Sequence, residues 1–364
     1  MNSTELRRTP LFDTIVKAGG RMVDFHGWEL PVQFQGIIQE HTAVRNACGV
    51  FDVSHMGQVF VTGPDAHNFV QYINTNNVKP EIGKGAYSHI LNDEGGIIDD
   101  AISFCLAPEK FFIVINAGTR AKDVAWFKKQ AAKFNVKLED ASDRFAMLAV
   151  QGPKAPALVG EIFPDALKLA RFCIMETTYN GEYAVVTRTG YTGEDGFEIA
   201  SSGKAMNAVW EELFKRGGKY GLVPCGLGSR DTLRLEAGYL LYGEDADETR
   251  TSYEANCGWV VKTKKGDFAG RDAILRRKEE GLKARLTPIK LTGRGVPRHG
   301  CPVYKDGVKI GEFTSATFSP SLNAGIGVGY LSLTDLKPGD KLEVEIHGRR
   351  IPAEVAEKFY QNKV

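Results

Sequence analysis

The sequence has no long apolar run and no excess of charge of one sign. No apolar run reaches the roughly 18 residues that a membrane span needs, so we expect no membrane partner. Lys and Arg number 46 against 45 Asp and Glu, a net charge of +1. A balance this close lacks the basic surface typical of nucleic-acid-binding proteins. We therefore expect neither a nucleic acid nor a membrane as partner.

Paired cysteines are also missing. The six cysteines form no CxxC, and no histidine stands at a zinc-ligand spacing from them, so we expect no metal. Several lie in apolar runs, which is typical of reduced, buried thiols. The first twenty residues have no apolar signal core. These features predict a cytoplasmic protein.

The chain does contain a repeated junction. Its 364 residues can build two or three domains. Residues 61–66 (VTGPDA) and 150–155 (VQGPKA) share valine, glycine, proline and alanine at the same places. Each reads as a strand, a glycine turn and a helix with proline at its first position. Such junctions can also converge independently, but the matching context favours two related α+β subdomains, with junctions near residues 52 and 145.

Hydrophobic periodicity predicts the elements around these junctions. We expect a strand over 51–63 and a three-stranded meander over 86–117. We expect helices over 36–47, 121–133, 203–218 and 229–241, the last with Ser229 as its N-cap. After residue 277 the sequence becomes charged, and short alternating runs then follow to the end. They predict a C-terminal all-β barrel or jelly roll. The predicted fold class is α+β, with two related antiparallel-sheet subdomains and this β-domain.

Two adjacent carboxylates stand inside the second meander strand. Strand alternation puts Asp100 on one face with Ile98 and Ile102, and Asp99 on the other. The first face is apolar, so Asp100 is the anomaly, either a buried acid that caps backbone donors or a functional group tuned by burial. Asp99, on the milder face, can be solvated or bonded to Ser103.

A glycine-rich stretch over 188–198 (RTGYTGEDGFE) offers a second candidate site. It lacks the Lys-Ser/Thr of a P-loop, and its acids would repel phosphate. Glu198 enters a strand after it. If Glu198 faces a cleft, its two oxygens suit an N–C–N edge such as that of a pterin or guanine. An edge-strand acid in water is the alternative.

The helix over 229–241 carries charges along one line. Arg234 and Glu236 can be plain surface charges. Arg230 lies in the first turn, where the helix dipole disfavours a cation, which suggests an anionic partner. His55 has no nucleophile motif beside it, so we expect a hydrogen-bonded structural histidine. Met56 can pack on a flat ligand or fill the core.

Together these motifs resemble the glycine cleavage T-protein (aminomethyltransferase) family from about residue 8 to the C-terminus. The matching motifs are RTPLFD (8–13), DFHGWELPVQF (24–34), FDVSHMG (51–57), GGIIDD (95–100), VQGP (150–153), RTGYTGEDGFE (188–198), CGLGSRDTLRLEAG (225–238) and FTSATFSPSL (313–322).

The resemblance implies a reaction and a fold. It implies that the aminomethyl group on the lipoyl arm of the H-protein is taken up, that ammonia leaves, and that tetrahydrofolate becomes 5,10-methylenetetrahydrofolate. It implies a three-domain ring with folate in a central channel. The corresponding units are a folate-binding module over 1–280 and a β-barrel over 285–364.

The resemblance also implies site residues. Asp100 is expected beside N5 and N10 of folate as the catalytic group, with Glu198 on the pterin edge and Arg230 as a substrate contact. Further expected cleft-lining positions are Met56, Tyr87, Asn116 and Tyr239. Tetrahydrofolate would be the co-substrate and the lipoylated H-protein the partner.

Two alternative functions are each associated with a sequence feature that this chain lacks. Folate domains of sarcosine or dimethylglycine dehydrogenases are fused to a flavin domain, and no GxGxxG opens this sequence. A folate-binding accessory protein of iron–sulfur assembly, without transferase turnover, would carry a KGCYxGQE-type motif. Residues 239–245 read YLLYGED here, without cysteine.

Overall fold

The computed structural model describes residues 5–360. The outer ends of the two predicted units, residues 1–4 and 361–364, lie outside it. The described part of the chain begins with an N-terminal segment whose last strand joins the second sheet. Its elements are α1 (Phe12–Lys17), the hairpin β1 (Arg21–Phe25) and β2 (Trp28–Gln33), α2 (Ile37–Asn46) and β3 (Cys48–Asp52).

Two units with the same order of elements follow. The first consists of β4 (Gly57–Thr62), α3 (Ala66–Ile73), β5 (Gly85–Leu91), β6 (Ile97–Ala107), β7 (Lys110–Ile115), α4 (Arg120–Ala131) and β8 (Lys137–Asp140). The second consists of β9 (Ala146–Gln151), α5 (Ala155–Gly160), β10 (Ile174–Tyr179), β11 (Glu182–Thr187), β12 (Gly196–Ser201), α6 (Gly203–Gly217) and β13 (Leu222–Pro224).

The two sheets also have equivalent strand orders. The first is β5-β6-β7-β4-β8, and the second is β10-β11-β12-β9-β3-β13. The second differs by one additional strand, β3, inserted between β9 and β13. The two predicted antiparallel-sheet subdomains therefore share the same order of strands, apart from β3.

Two helices and the barrel complete the chain. They are α7 (Leu227–Glu236), α8 (Arg271–Glu279) and the strands β14 (Arg285–Leu291), β15 (Pro302–Lys305), β16 (Val308–Ser319), β17 (Ala324–Leu331), β18 (Lys341–Ile346) and β19 (Arg349–Val355). The six strands close into a barrel in the order β14-β17-β16-β15-β18-β19. The predicted α+β class with a C-terminal all-β barrel is confirmed.

The core is arranged in layers. One apolar cluster lies between the first sheet and the helices α3 and α4, and another between the second sheet and α5 and α6. A third cluster lies between the two sheets, where Phe60, Phe104 and Phe112 meet Met147 and Val185. Each sheet is thus covered on both faces, which explains the almost continuous apolar runs of its strands.

The predicted strand over 51–63 is wrong, because two strands of different sheets replace it. β3 ends at Asp52, whose Oδ1 accepts hydrogen bonds from the backbone N (3.0 Å) and the hydroxyl (2.6 Å) of Ser54. The backbone N of Met56 then donates to Val53 O at 3.0 Å. This tight turn carries the chain from one sheet to the other, and the apolar alternation runs through it unbroken.

The capping predictions need correction at both glycine-proline junctions and at α7. Pro64 and Pro153 precede the N-cap residues Asp65 and Lys154 and are not the first helical residues. Ser229 lies inside α7, which begins at Leu227.

A buried carboxylate takes the place of the predicted cap of α7. Glu40 accepts hydrogen bonds from Gly226 N (2.9 Å) and Ser229 Oγ (3.1 Å) at the start of that helix. Its other oxygen accepts from the backbone N of Phe34 (2.6 Å), Gln35 and Gly36. One acid from α2 therefore satisfies orphan donors of two helix beginnings.

Candidate functional site

The candidate site lies between the two sheets, at one end of the apolar cluster that joins them. Along β6, Phe104 belongs to that cluster, and Ile102 and Asp100 follow on the same face. Along β12, Ala200 belongs to it and Glu198 follows on the same face. Each sheet therefore contributes one carboxylate to a shared recess.

Asp100 is held by two donors. Asn116 Nδ2 donates to its Oδ1 at 2.8 Å, and the Tyr87 hydroxyl donates to its Oδ2 at 3.0 Å. Burial, and next the charge of Asp99, raise the pKa of Asp100 to about 7, although both hydrogen bonds act to lower it. A carboxyl with this pKa can take or give a proton near neutral pH.

The faces of the two aspartates differ from the prediction. Asp99 is fully buried against the helix layer, whereas Asp100 is half-buried at the inner end of the recess. Asp99 is not bonded to Ser103; it accepts from the backbone N (3.0 Å) and Nδ2 (2.9 Å) of Asn116. Strand alternation correctly placed the two residues on opposite faces. Because both faces of this sheet are covered, it could not predict which face is more completely buried.

Tyr87 and its neighbours form one wall. Its ring stacks on Trp259 with centroids 5.8 Å apart, and its hydroxyl lies 3.3 Å from His89 Nε2. Burial lowers the pKa of His89 to about 3, so this imidazole is neutral, and its Nδ1 lies 2.8 Å from Ser252 Oγ. Burial and the Asp100 charge raise the pKa of Tyr87, which keeps the phenol protonated.

Glu198 and Arg230 lie at the other side of the recess. Glu198 Oε2 accepts from the Thr189 hydroxyl, and its Oε1 makes no hydrogen bond to any residue of 5–360. Burial raises the pKa of Glu198, while Thr189 and the Arg230 charge oppose the rise. Burial also lowers the pKa of Arg230, which nevertheless stays a cation. The Glu198 carboxylate and the Arg230 guanidinium thus face the recess with free hydrogen-bonding groups.

Stacked rings support the Arg230 guanidinium. It lies 4.6 Å from the centroid of the Tyr191 ring, and Tyr191 stacks on Tyr239 at 5.8 Å with an angle of 20°. Arg171 donates to the Tyr239 hydroxyl at 3.0 Å, and the Tyr191 hydroxyl donates to Leu240 O. Tyr191 was missed as a site residue, although its position in the glycine-rich stretch was a signal.

Met56 and His55 lie on the turn between β3 and β4. Met56 is half-buried against the cluster between the sheets. The prediction of a hydrogen-bonded His55 is wrong: its buried Nδ1 has no partner in the described part of the chain. Burial lowers the pKa of His55 to about 3, with the Arg230 charge adding to the effect, so the ring is neutral.

Arg234 and Glu236 are not surface charges, contrary to the prediction. Both are buried. Arg234 donates to Asp245 Oδ2 (2.7 Å), Tyr239 O (3.1 Å) and Ser315 Oγ (2.8 Å), which ties α7 to the barrel. Its hydrogen bond to Tyr239 O also holds the backbone of Tyr239, whose ring stacks on Tyr191. Of the two arginines of this helix, Arg234 is therefore structural, whereas the Arg230 guanidinium makes no hydrogen bond to any residue of 5–360.

Three further findings concern other kinds of site. A cavity of about 710 Å³ lies between α2, α7 and the barrel, lined among others by Ile38, Asp231, Arg298 and Phe318, and it contains none of the expected site residues. Over residues 5–360 no group of three or more His, Cys, Asp or Glu side chains could hold a metal ion. No helix in the same range is long and apolar enough to cross a membrane.

Comparisons with known proteins identify the family to which the chain belongs. The model of the GCVT N-terminal domain family matches residues 11–265, and that of the glycine cleavage T-protein C-terminal barrel domain matches residues 285–360. The chain belongs to the glycine cleavage T-protein family of aminomethyltransferases. The expected family is confirmed.

Individual relatives of this family cover the chain almost completely. An aminomethyltransferase of Halothermothrix orenii is 43% identical over 352 residues, covering 96% of this chain and 98% of its own. One of Pseudothermotoga lettingae is 40% identical over 361 residues, covering 99% of each. The crystal structure of glycine cleavage system aminomethyltransferase T from Bartonella henselae superposes with a TM-score of 0.91 at 32% identity, covering 98% and 99%. The chain is therefore an enzyme of the aminomethyltransferase class.

Proposed function

We propose that this aminomethyltransferase acts on the lipoyl-bound aminomethyl group of the H-protein. It passes the one-carbon unit to tetrahydrofolate, releases ammonia and forms 5,10-methylenetetrahydrofolate. The lipoylated H-protein is then its partner and tetrahydrofolate its co-substrate. The observation that carries the proposal is the pair of carboxylates, Asp100 and Glu198, which face one recess from two sheets.

The Glu198 side of the recess suits a pterin. A carboxylate with one free oxygen accepts hydrogen bonds from the N–C–N edge of a pterin ring, and Arg230 offers a planar fork of donors beside it. The stacked rings of Tyr191 and Tyr239 supply flat apolar surface next to that fork. Met56 provides a further apolar contact. These residues bind and orient the folate.

The Asp100 side of the recess suits the chemistry. Asp100 takes a proton from, or hydrogen-bonds to, the N10 region of folate and stabilises the cationic character of an iminium-like transition state. Such a positioned acid or base contributes roughly 10²–10⁴-fold in rate. Tyr87 and Asn116 hold the carboxylate by one hydrogen bond to each oxygen. Much of the remaining acceleration comes from holding folate and the lipoyl arm together.

We also propose that the chain divides into a folate-binding module over 1–280 and a barrel over 285–364. Helix α8 and the charged stretch after it separate the two sheets from the first barrel strand. The barrel contacts α7 through Ser315, whose Oγ accepts a hydrogen bond from Arg234, and Thr314 of the same strand donates to Asp245. The recess itself is built by the module.

The test is ammonia release from aminomethylated H-protein, with and without tetrahydrofolate. We expect folate to stimulate release strongly, and Asp100→Asn to lose about 10²–10⁴-fold in turnover while folate affinity changes only a few-fold. Asp272→Asn, an exposed carboxylate on α8, is the matched control and should behave as wild type. Release without folate stimulation in the wild type would favour an accessory protein that binds folate but does not turn over. Unchanged turnover of Asp100→Asn would refute the role of that residue.

A further inference from the structure

A third carboxyl lies directly behind Asp99 and has no role in the reaction as described so far. Asp123 belongs to the first turn of α4, which covers the face of β6 that carries Asp99. Both side chains are fully buried. Neither oxygen of Asp123 receives a hydrogen bond from a donor within residues 5–360. A buried ionised carboxylate without donors is costly, so this group calls for an explanation.

The hydroxyl beside the pair has one proton and cannot serve every acceptor around it. Thr119 Oγ1 donates to Asn116 O at 3.1 Å, and the carboxyls of Asp99 and Asp123 compete for the same proton. Asp99, by contrast, already accepts two hydrogen bonds from Asn116. Asp99 is therefore suited to the charged form and Asp123 to the neutral form, in which its own O–H reaches Asp99. Two adjacent buried carboxyls share a single proton in this way.

We propose that Asp123 is a positioning residue of the one-carbon transfer site. Its protonated carboxyl donates a hydrogen bond to Asp99 and keeps Asp99 as the single carboxylate that anchors the Asn116 amide against Asp100. This inference rests on the proposed function for the reaction it serves.

The Asn116 amide links the hidden pair to the recess. Its Nδ2 carries two protons and donates to Asp99 Oδ1 at 2.9 Å and to Asp100 Oδ1 at 2.8 Å. The orientation of this amide therefore depends on Asp99 staying an acceptor. The Asp99 charge also acts through space on Asp100 and raises its pKa. Asp123 thereby acts on Asp100 in two indirect ways, through the orientation of the Asn116 amide and through the charge of Asp99.

The surroundings of the pair favour this distribution of charge. Burial, and next the Asp99 charge, raise the pKa of Asp123 to about 10. The nearest cation is Lys122 of α4, which donates to Tyr242 (2.9 Å) and Glu248 (2.7 Å) and so is engaged elsewhere. The remaining titratable groups near Asp99 are Asp100 on β6 and Tyr242, whose hydroxyl donates to Ile97 O. The pair thus carries one negative charge at neutral pH.

Infrared spectroscopy of the full-length protein without ligands tests the proton directly. At pH 8.5 Asp100, with its pKa of about 7, is ionised, whereas Asp123, with a pKa of about 10, is still protonated. At this pH the wild type should show the carbonyl band of a protonated, buried carboxyl, and Asp123→Asn should lose it. Asp272→Asn, which removes an exposed carboxylate, should keep the band. A spectrum that is unchanged by Asp123→Asn overturns the proposal. This readout needs no turnover, so it stands apart from any failure of the proposed reaction.

The pH profile of folate-stimulated ammonia release tests the positioning role. Asn can still donate to Asp99, so Asp123→Asn should retain turnover and the wild-type acid limb. An alanine side chain at position 123 cannot donate a hydrogen bond to Asp99, and Asp99 itself then becomes protonated. Asp123→Ala should therefore lower kcat more than it changes KM for folate and move the acid limb down by roughly one pH unit. Equal losses in both variants, or an Ala profile that superposes on the wild type, would contradict the proposal. If the Ala variant does not fold, the spectrum of the Asn variant decides.

Discussion

At the scale of single residues, the proposed site assigns binding and chemistry to different environments. Within residues 5–360, Glu198 Oε1 and the Arg230 guanidinium make no hydrogen bond and Arg230 lies against a flat ring, whereas Asp100 is enclosed by two donors and a neighbouring charge. We propose different tasks for the two carboxylates because different neighbours surround them.

Substitution of Glu198 should affect binding first. Glu198→Gln keeps the shape but offers one acceptor and one donor where two acceptors stood. A hydrogen bond to a charged group contributes about 1.5–3 kcal/mol, so the Kd for tetrahydrofolate should rise about 10–100-fold, with a smaller change in kcat. Titration of intrinsic fluorescence with tetrahydrofolate measures this. Glu279→Gln, exposed on α8, serves as control. An unchanged Kd would remove Glu198 from the folate site.

The pH dependence follows from Asp100. Its pKa is raised to about 7 by burial and by Asp99, and the proposed base must be ionised. Activity should therefore fall as the pH drops below about 7 and level off above it. In Asp99→Asn the neighbouring charge is gone, so the pKa of Asp100 falls and the acid limb moves to lower pH. Initial rates from pH 5.5 to 8.5 measure both limbs. A limb that moved upward in Asp99→Asn would contradict this electrostatic coupling.

At the scale of elements, the repeated glycine junctions allow each unit to fold back on its own sheet. Gly152 has φ +126°, and a Cβ there would meet Ala47 O at 2.6 Å. Gly63 has φ +129°, and its Cβ would meet Asn135 O at 2.6 Å. The two positions are equivalent in the two units, so the shared motif reflects a shared steric demand.

Replacement of Gly152 by alanine should therefore destabilise the fold. Strain at this φ and the close carbonyl together should cost about 1–3 kcal/mol. The urea midpoint measures the loss. Gly218→Ala is the matched control, because Gly218 has φ −54° and no heavy atom within 4 Å of the added Cβ. Equal midpoints for the two variants would show that the junction tolerates a side chain.

The elements were largely predictable, and their relative placement was not. Hydrophobic periods identified the meander and the helices α2, α4 and α6 to within a few residues. They could not reveal the turn after Asp52, because its side chain makes the turn while the apolar alternation continues. They also could not predict that Asp99 is more deeply buried than Asp100, since both faces of the sheet are covered. Arg234 and Glu236 looked like solvent charges because their partners lie in distant parts of the chain.

At the scale of the whole molecule, buried charges join the barrel to the sheets. Glu236 at the end of α7 accepts hydrogen bonds from Arg45 of α2 (2.9 Å) and from the hydroxyls of Ser319 and Ser321 at the barrel. His41 Nε2 lies 3.2 Å from the same carboxylate. One acid of α7 therefore meets groups from two other parts of the chain, α2 and the barrel.

Replacement of Glu236 should weaken the contact between the barrel and the sheets and so destabilise the fold. The pKa of Glu236 is lowered to about 2, with burial opposing the shift and His41 and the two serines causing it. Its stabilising contribution is thus present above its ordinary value of 4.5 and is lost as the pH falls toward 2. Glu236→Gln should lower the free energy of unfolding at pH 7 by about 3–5 kcal/mol, since it removes the carboxylate that pairs with the buried Arg45 guanidinium.

Urea unfolding at pH 7 and at lower pH measures the effect. The difference between Glu236→Gln and wild type should shrink as the pH falls below 4.5. Glu211→Gln, which changes an exposed acid on α6, should leave the midpoint nearly unchanged at either pH. A midpoint of Glu236→Gln equal to that of the wild type at pH 7 would show that the junction does not depend on this charge.

The inserted strand β3 has a consequence for synthesis on the ribosome. It is made before residue 53, yet its partners β9 and β13 begin at Ala146 and Leu222. At about 5–20 residues per second, a nascent chain carries this apolar strand unpaired for on the order of 5–20 s before β9 emerges. During that interval its exposed edge is available to other chains. The order of elements that completes the second sheet thus makes the N-terminal segment the part of the newborn protein that most needs a chaperone.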